Sequence, residues 1–214
     1  MTVLLTLATL VAAGVLVEGR INRSSAAAPR ARTEEVDDWA RHLADVGVPL
    51  GDKTRPVQLA VFTDFECPFC QRMDSVLTDL DRRHPGKISQ YVIHFPLGMH
   101  RAATGAATAF ECAARLGSAA QMHHVLFWSS TSLQTEKWSQ FAQEAGVADA
   151  SRFTACVNAD EGRARIAAGV AFGESLGVSG TPAVIVNGWL FDPSTPAAVN
   201  KAVAAILRGS SPKP

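Results

Sequence analysis

Two cysteines one helical turn apart carry the sharpest chemistry in this sequence. Cys67-Pro68-Phe69-Cys70 follows an apolar run of strand length, Val57 to Phe62. It opens a segment in which Phe69, Met73, Val76, Leu77 and Leu80 fall on one stripe, before His84-Pro85-Gly86 stops it. The spacing predicts a helix that starts at the pair, so the Cys67 sulfur is expected at a helix N-terminus. Unpaired backbone N–H groups and the macrodipole stabilise a thiolate there. Pro68 suits the first turn because it needs no N–H partner. Cys67 is therefore expected to have a lowered pKa. Cys70 is expected to be more buried, within reach of the Cys67 sulfur as its resolving thiol. Such a pair performs thiol-disulfide exchange. Zinc also uses this spacing but needs four ligands. Cys112, Cys156 and six histidines offer no second Cys-x-x-Cys and no His-x-x-x-His, so no metal site is expected.

The surrounding pattern predicts an α/β fold. Ile88 to Phe95 supplies a second strand, so strand, helix and strand form a βαβ unit. From His100 to Leu176 Ala-rich segments with no convincing strand read as helical. Ala183 to Val186 and Trp189 to Phe191 then face each other across Asn187-Gly188, a hairpin signal. Thr195-Pro196 caps a last helix marked by Val199, Val203, Ile206 and Leu207. Upstream, Val36, Trp39, Leu43 and Val46 predict a helix over Glu34 to Val46, broken by Pro49 and Gly51. Phe127, Trp128 and Trp138 are core candidates.

Composition narrows the function. The 214 residues hold 20 Lys+Arg and 20 Asp+Glu, and 47% are hydrophobic. That balance supports a packed core and argues against a nucleic-acid partner, which needs an excess of basic residues on one face. No phosphate-binding glycine loop, Ser-His-Asp order or metal-carboxylate cluster stands out, so no cofactor is expected.

With Val178-Ser179-Gly180-Thr181-Pro182-Ala183, whose proline just before a strand suits a cis bond, the Cys-x-x-Cys pair resembles the thioredoxin fold. Several motifs are similar to those of the DsbA-like thiol-disulfide oxidoreductases: Asp64-Phe65-Glu66 leading into the pair, His94-Phe95-Pro96-Leu97 with His100, Glu111-Cys112-Ala113, and Val186-Asn187-Gly188. The resemblance covers about residues 34–208. It implies a thioredoxin-like fold with a helical subdomain, about 100–176, inserted between the βαβ half and the C-terminal ββα half. It also implies that Cys67 attacks and accepts, that Cys70 resolves, and that Pro182 is the cis proline beside them. Thr181 would pair its backbone with a substrate strand. The reaction would be disulfide exchange with exported proteins that carry thiols or disulfides, chiefly as an oxidase, with a membrane redox partner recycling the pair. A reductase or isomerase, or a redox-inactive peptide-binding module, are the alternatives.

The chain departs from the resemblance at two positions. Many thioredoxin-like proteins keep a buried acid six residues before the first cysteine, where this chain has Val61. The dipeptide is Pro-Phe rather than Pro-His, and Phe69 cannot donate a hydrogen bond to a thiolate. Asp64 and Glu66 read as solvated strand-end acids, and His94 and His100 as structural. His123 and His124 read as half-buried and exposed positions. In an exported protein Cys112 and Cys156, 44 positions apart, read as a disulfide joining two helices, an arrangement that DsbA-like proteins resemble. Two buried thiols or a second redox pair are the other readings.

Fifteen uncharged residues, Val3 to Val17, open the chain. They are short for a membrane span and suit the apolar region of an export signal. Residues 1–23 therefore read as a signal peptide or N-terminal membrane anchor, giving an extracytoplasmic domain in the periplasm or cell envelope. No Lys or Arg precedes the run, which points to a start upstream, while Arg20, Arg23, Arg30 and Arg32 follow it, a pattern that by the positive-inside rule favours leaving the rest of the chain in the cytoplasm and that the resemblance outweighs. Residues 24–33 read as a linker, 34–208 as the folded domain and 209–214 as a disordered tail.

Overall fold

A computed structural model describes residues 32–135 and 137–213. The signal or anchor at 1–23 and most of the linker lie outside them. Six strands form one sheet: β1 (Arg32–Glu35), β2 (Val48–Pro49), β3 (Val57–Thr63), β4 (Ile88–His94), β5 (Ala183–Val186) and β6 (Trp189–Asp192), in the order β1-β6-β5-β3-β4-β2. Only β3 and β4 run parallel, from Val57 beside Ile88 to Thr63 beside His94, with α2 (Pro68–Arg83) as their crossover. The other pairings are antiparallel. The β5–β6 turn places Asn187 at φ 43 and Gly188 at φ 88, the left-handed pair such a tight turn demands.

Strand alternation divides the core. Val57 and Leu59 face α2 and the final helix α8 (Pro196–Leu207), meeting Met73, Leu77, Leu80, Val199 and Val203. Ala60 and Phe62 face the other side, against Leu43 and Val46 of α1 (Trp39–Val46) and Phe172 of α7 (Arg163–Ser175). A third cluster fills the remaining helices, α3 (Ala103–Arg115), α4 (Ala119–Trp128), α5 (Trp138–Glu144) and α6 (Ala150–Asn158), around Phe110, Met122, Leu126, Phe141 and Phe153. Cys67 and Cys70 belong to that third cluster, so the reactive pair sits where sheet and helical block meet.

Several sequence expectations are corrected. Arg32 and Thr33, read as linker, and Glu34 and Glu35, read as helix, form β1 instead. That strand pairs with β6 from Arg32 beside Asp192 to Glu35 beside Trp189, and the Arg32 guanidinium reaches the Leu176 carbonyl and Asp192 Oδ2. Its partners are some 150 residues away, and their hydrogen bonds override the local helical spacing. Among its described residues the helical stretch holds no strand, but α7 lies on the sheet rather than in the block. Gly169 allows this: a Cβ there would sit 2.8 Å from the His94 carbonyl oxygen. Phe69 leaves the buried stripe of α2, which runs Cys70, Met73, Leu77, Leu80, and stands 61% exposed. Trp128, at the last residue of α4, is 81% exposed and stacks on His124, while Phe127 is buried. The tail is tied back at two points, with Ser210 N–H donating to the Ala205 carbonyl and the Lys213 ammonium over the Trp189 ring.

Cys112 of α3 and Cys156 of α6 form a disulfide. Closing a loop of 44 residues contributes about 4 kcal/mol in the chain-entropy model. Replacing both cysteines with Ala is expected to lower the unfolding free energy in urea by about that amount. Alkylation without reduction should leave both positions unlabelled, and an unchanged urea midpoint would contradict the assignment.

Candidate dithiol active site

The turn between β3 and α2 is built by Asp64. Its Oδ1 accepts from the Glu66 N–H at 2.8 Å, and its carbonyl accepts from the Cys67 N–H at 3.1 Å, which folds the chain so that Cys67 becomes the residue flanking the helix start. Pro68 occupies the first turn, as expected. Asp64 is 1% exposed and not a solvated strand end. Its Oδ2 accepts from the Leu97 N–H at 2.8 Å and meets His100 Nδ1 at 2.7 Å. Glu66 Oε2 accepts from the Ala102 N–H at 2.7 Å, and Oε1 from the Gln134 amide. The two acids thus fasten the turn to the loop between β4 and α3. Burial opposes a charge on His100, but Asp64, the Cys67 thiolate and Glu66 together lift its pKa above the ordinary value. His94 Nε2 lies 3.0 Å from Glu111 Oε1 in the buried interior.

Both cysteines are free thiols, and their residues are equally covered, at 3% and 2% exposure. Hydrogen bonding, not exposure, separates them. Cys67 is lowered from 9.0 to about 5. The Cys70 thiol donating to it is the largest cause, burial opposes, and the Thr181 hydroxyl and the backbone N–H groups of Cys70 and Phe69 add to the lowering. Cys70 is pushed far above its ordinary value by that same bond and by burial. One proton is therefore held on Cys70 while Cys67 carries the charge.

Thr181 arrives from the other half of the sheet, just before β5, with a cis bond to Pro182. The Cys67 thiol donates to its carbonyl at 3.5 Å. Its buried hydroxyl has no hydrogen-bond partner, and as a donor to a thiolate it lowers both Cys67 and Cys70. The Pro182 carbonyl is held by the Ser194 N–H at 3.3 Å and its hydroxyl at 2.8 Å. All the candidate residues from the sequence therefore meet at one point except Cys112 and Cys156, which serve the neighbouring helices.

A family model described as Thioredoxin matches residues 44–205, which takes in both the Cys-x-x-Cys pair and Thr181-Pro182. The chain belongs to the thioredoxin family. Its fold is the one seen in BdbD from Bacillus subtilis, with TM-score 0.65 and 16% identity, covering 76% of this chain and 94% of that one. The probable disulfide bond formation protein D of Bacillus cereus is 25% identical over 154 residues, 67% of this chain and 71% of that protein. A Na(+)/H(+) antiporter, NhaA 1, of Mycolicibacterium gilvum is 30% identical over 169 residues. This thioredoxin-family chain spans only 27% of that antiporter's length. Among its described residues no helix is long and apolar enough to cross a membrane.

The signal for Asp64 and Glu66 was missed in this thioredoxin-family sequence because their partners are backbone groups of a loop over thirty residues on, invisible to local pattern. Absorbance at 240 nm should titrate Cys67 with a midpoint near pH 5. Because that value lies below 9.0, the reduced protein should gain stability over the oxidised one as pH rises from 5 to 9, and lose it as pH falls through the same window. Thr181→Val should raise the Cys67 midpoint by about one unit and make the pair less oxidising by about 30 mV; an unmoved midpoint would show that the hydroxyl does not reach the sulfur.

Proposed function

We propose that this chain is an extracytoplasmic thiol-disulfide oxidoreductase that exchanges disulfides with exported proteins through Cys67 and Cys70, working chiefly as an oxidase. The observation that carries the reading is the asymmetry of the pair, a thiolate at Cys67 and a retained proton on Cys70. A substrate thiolate attacks the Cys67 sulfur of the oxidised pair, and Cys70 leaves. A second substrate thiol then attacks the mixed disulfide at the substrate's sulfur, and Cys67 departs as a stabilised thiolate. Thiolate stabilisation favours the reduced enzyme, hence oxidation of the substrate. Thr181, beside Cys67 and ahead of β5, offers backbone groups to an extended substrate segment. The matched relative named as a disulfide bond formation protein supports the activity. The relative named as an antiporter supports action next to a membrane, where a redox partner would recycle the pair. The uncharged run at Val3 to Val17 supports export or anchoring.

The pair should equilibrate in glutathione buffers near about −180 mV, an interpolation between thioredoxin, with pKa about 7 at about −270 mV, and DsbA, with pKa about 3.5 at about −120 mV. A value near about −270 mV would reverse the direction to a reductant. Cys67→Ser should abolish turnover of a reduced, unfolded protein substrate, and catalysis that survived it would leave a binding module instead.

A further inference from the structure

Exchange at a pair with one deeply protonated thiol needs a route for that proton, and Val61 leaves the usual wall of the site without an acid. Behind Cys70 lies a cavity of about 10 Å³, the size of one water molecule, lined by Val61, Cys70, Tyr91, Asp74 and His123. Asp74 sits on α2 one turn beyond Cys70 and so on the same face. Asp74 and His123 also line a second cavity of about 250 Å³ whose other walls include the exposed residues Gly51, Asp52, Thr78 and His124. The two side chains, 20% and 12% exposed and 3.6 Å apart between Oδ1 and Nδ1, thus form the partition between the buried sulfur and solvent.

We propose that Asp74, with His123 beside it at 3.6 Å, relays the proton of Cys70 between the small cavity and the larger one. The inference rests on the exchange reaction proposed above. In the oxidising direction a substrate thiolate bonds to the Cys67 sulfur, the Cys67–Cys70 bond breaks, and the departing Cys70 thiolate takes the proton of the Asp74 carboxyl, which is refilled from the larger cavity. In reverse, the Asp74 carboxylate takes the Cys70 proton, the Cys70 thiolate attacks the Cys67 sulfur of the mixed disulfide, and the substrate leaves as a thiolate.

The groups facing Asp74 suit this role. His123 and His124 come from α4, Tyr91 from β4, Asp52 and Arg55 from the segment before β3, and Cys70, Arg72 and Asp81 from its own helix. Arg55 is engaged by Asp81 at 3.2 Å and Asp52 at 3.8 Å, and Arg72 lies over the Phe69 ring at 4.5 Å, so neither guanidinium pairs with Asp74. Burial raises Asp74 to about 6, against the pull of His124. Burial among Phe65, Phe110 and Phe127 keeps His123 neutral, lowered to about 3.

The test is reduction of the Cys67–Cys70 disulfide by dithiothreitol, followed by rapid quench and alkylation, with each rate corrected for the thiolate fraction of the reagent. In the wild type the corrected rate should fall as pH rises through about 6. Asp74→Asn should react about a hundredfold more slowly at pH 5, the low end for a positioned acid–base group, with no fall near pH 6, and Asp74→Glu should restore the fall. Asp74→Ser replaces the Asn variant if the latter does not fold, and the 240 nm midpoint of Cys67 should stay in place. An Asp74→Asn protein with the wild-type rate, or one slowed but still breaking at the same pH, overturns the relay alone. A wild-type disulfide that reacts no faster than oxidised glutathione overturns the exchange reading and the relay with it.

Discussion

A helix that begins on a cysteine leaves backbone N–H groups that no residue of the helix can satisfy, and in this chain a sulfur stands beside them, those of Phe69 and Cys70 helping to lower its pKa. The first turn of α2 leans on Cys67, and everything nearby keeps that turn in register. Asp64 folds the approach, Pro68 removes one donor that would need a partner, and the parallel pairing of β3 with β4 fixes where the helix starts relative to the sheet. Thr181 completes the electrostatics from a position over a hundred residues away, brought in because β5 pairs with β3 from Leu59 beside Val186 to Phe62 beside Ala183. The charge on one sulfur is thus a property of the sheet's strand order as much as of the dipeptide.

Much of this was legible in the chain. The stripe Met73, Leu77, Leu80 reported α2, the near-continuous apolar run of β3 reported a strand covered on both faces, and Asn187-Gly188 reported the hairpin, because each signal lies within one element and its period. What escaped depended on partners outside the window. β1 exists through ladder bonds to β6, and its four residues, Arg-Thr-Glu-Glu, carry no strand pattern. The burial of Asp64 and the half-burial of Glu66 depend on the loop at residues 97–102, and two charged side chains before a glycine-free turn look solvated until that loop is folded over them. Phe69 and Trp128 were misplaced for the opposite reason. Apolar side chains at the first and last residues of helices keep the period but outrun the surface that would cover them.

The fastening of the turn to the loop also changes what the helical block is for. Leu97, His100, Ala102 and Gln134 all answer to two carboxylates beside Cys67, so the block is joined to the reactive turn by hydrogen bonds as well as by packing.

The disulfide between Cys112 and Cys156 gives the chain a history as well as a shape. Before it closes, four thiols share one molecule, two of them destined for a lasting bond and two for a reversible one, and all four belong to the same buried cluster in the finished fold. A newly made chain is therefore itself a customer for the kind of reaction proposed for it, and the most acidic of its sulfurs is the one that must stay unattached. Burial does not sort the pairs, since Cys67 at 3% is covered as closely as Cys112 at 0% and Cys156 at 5%; what sets Cys67 apart is the charge that its place at the start of α2 lets it hold.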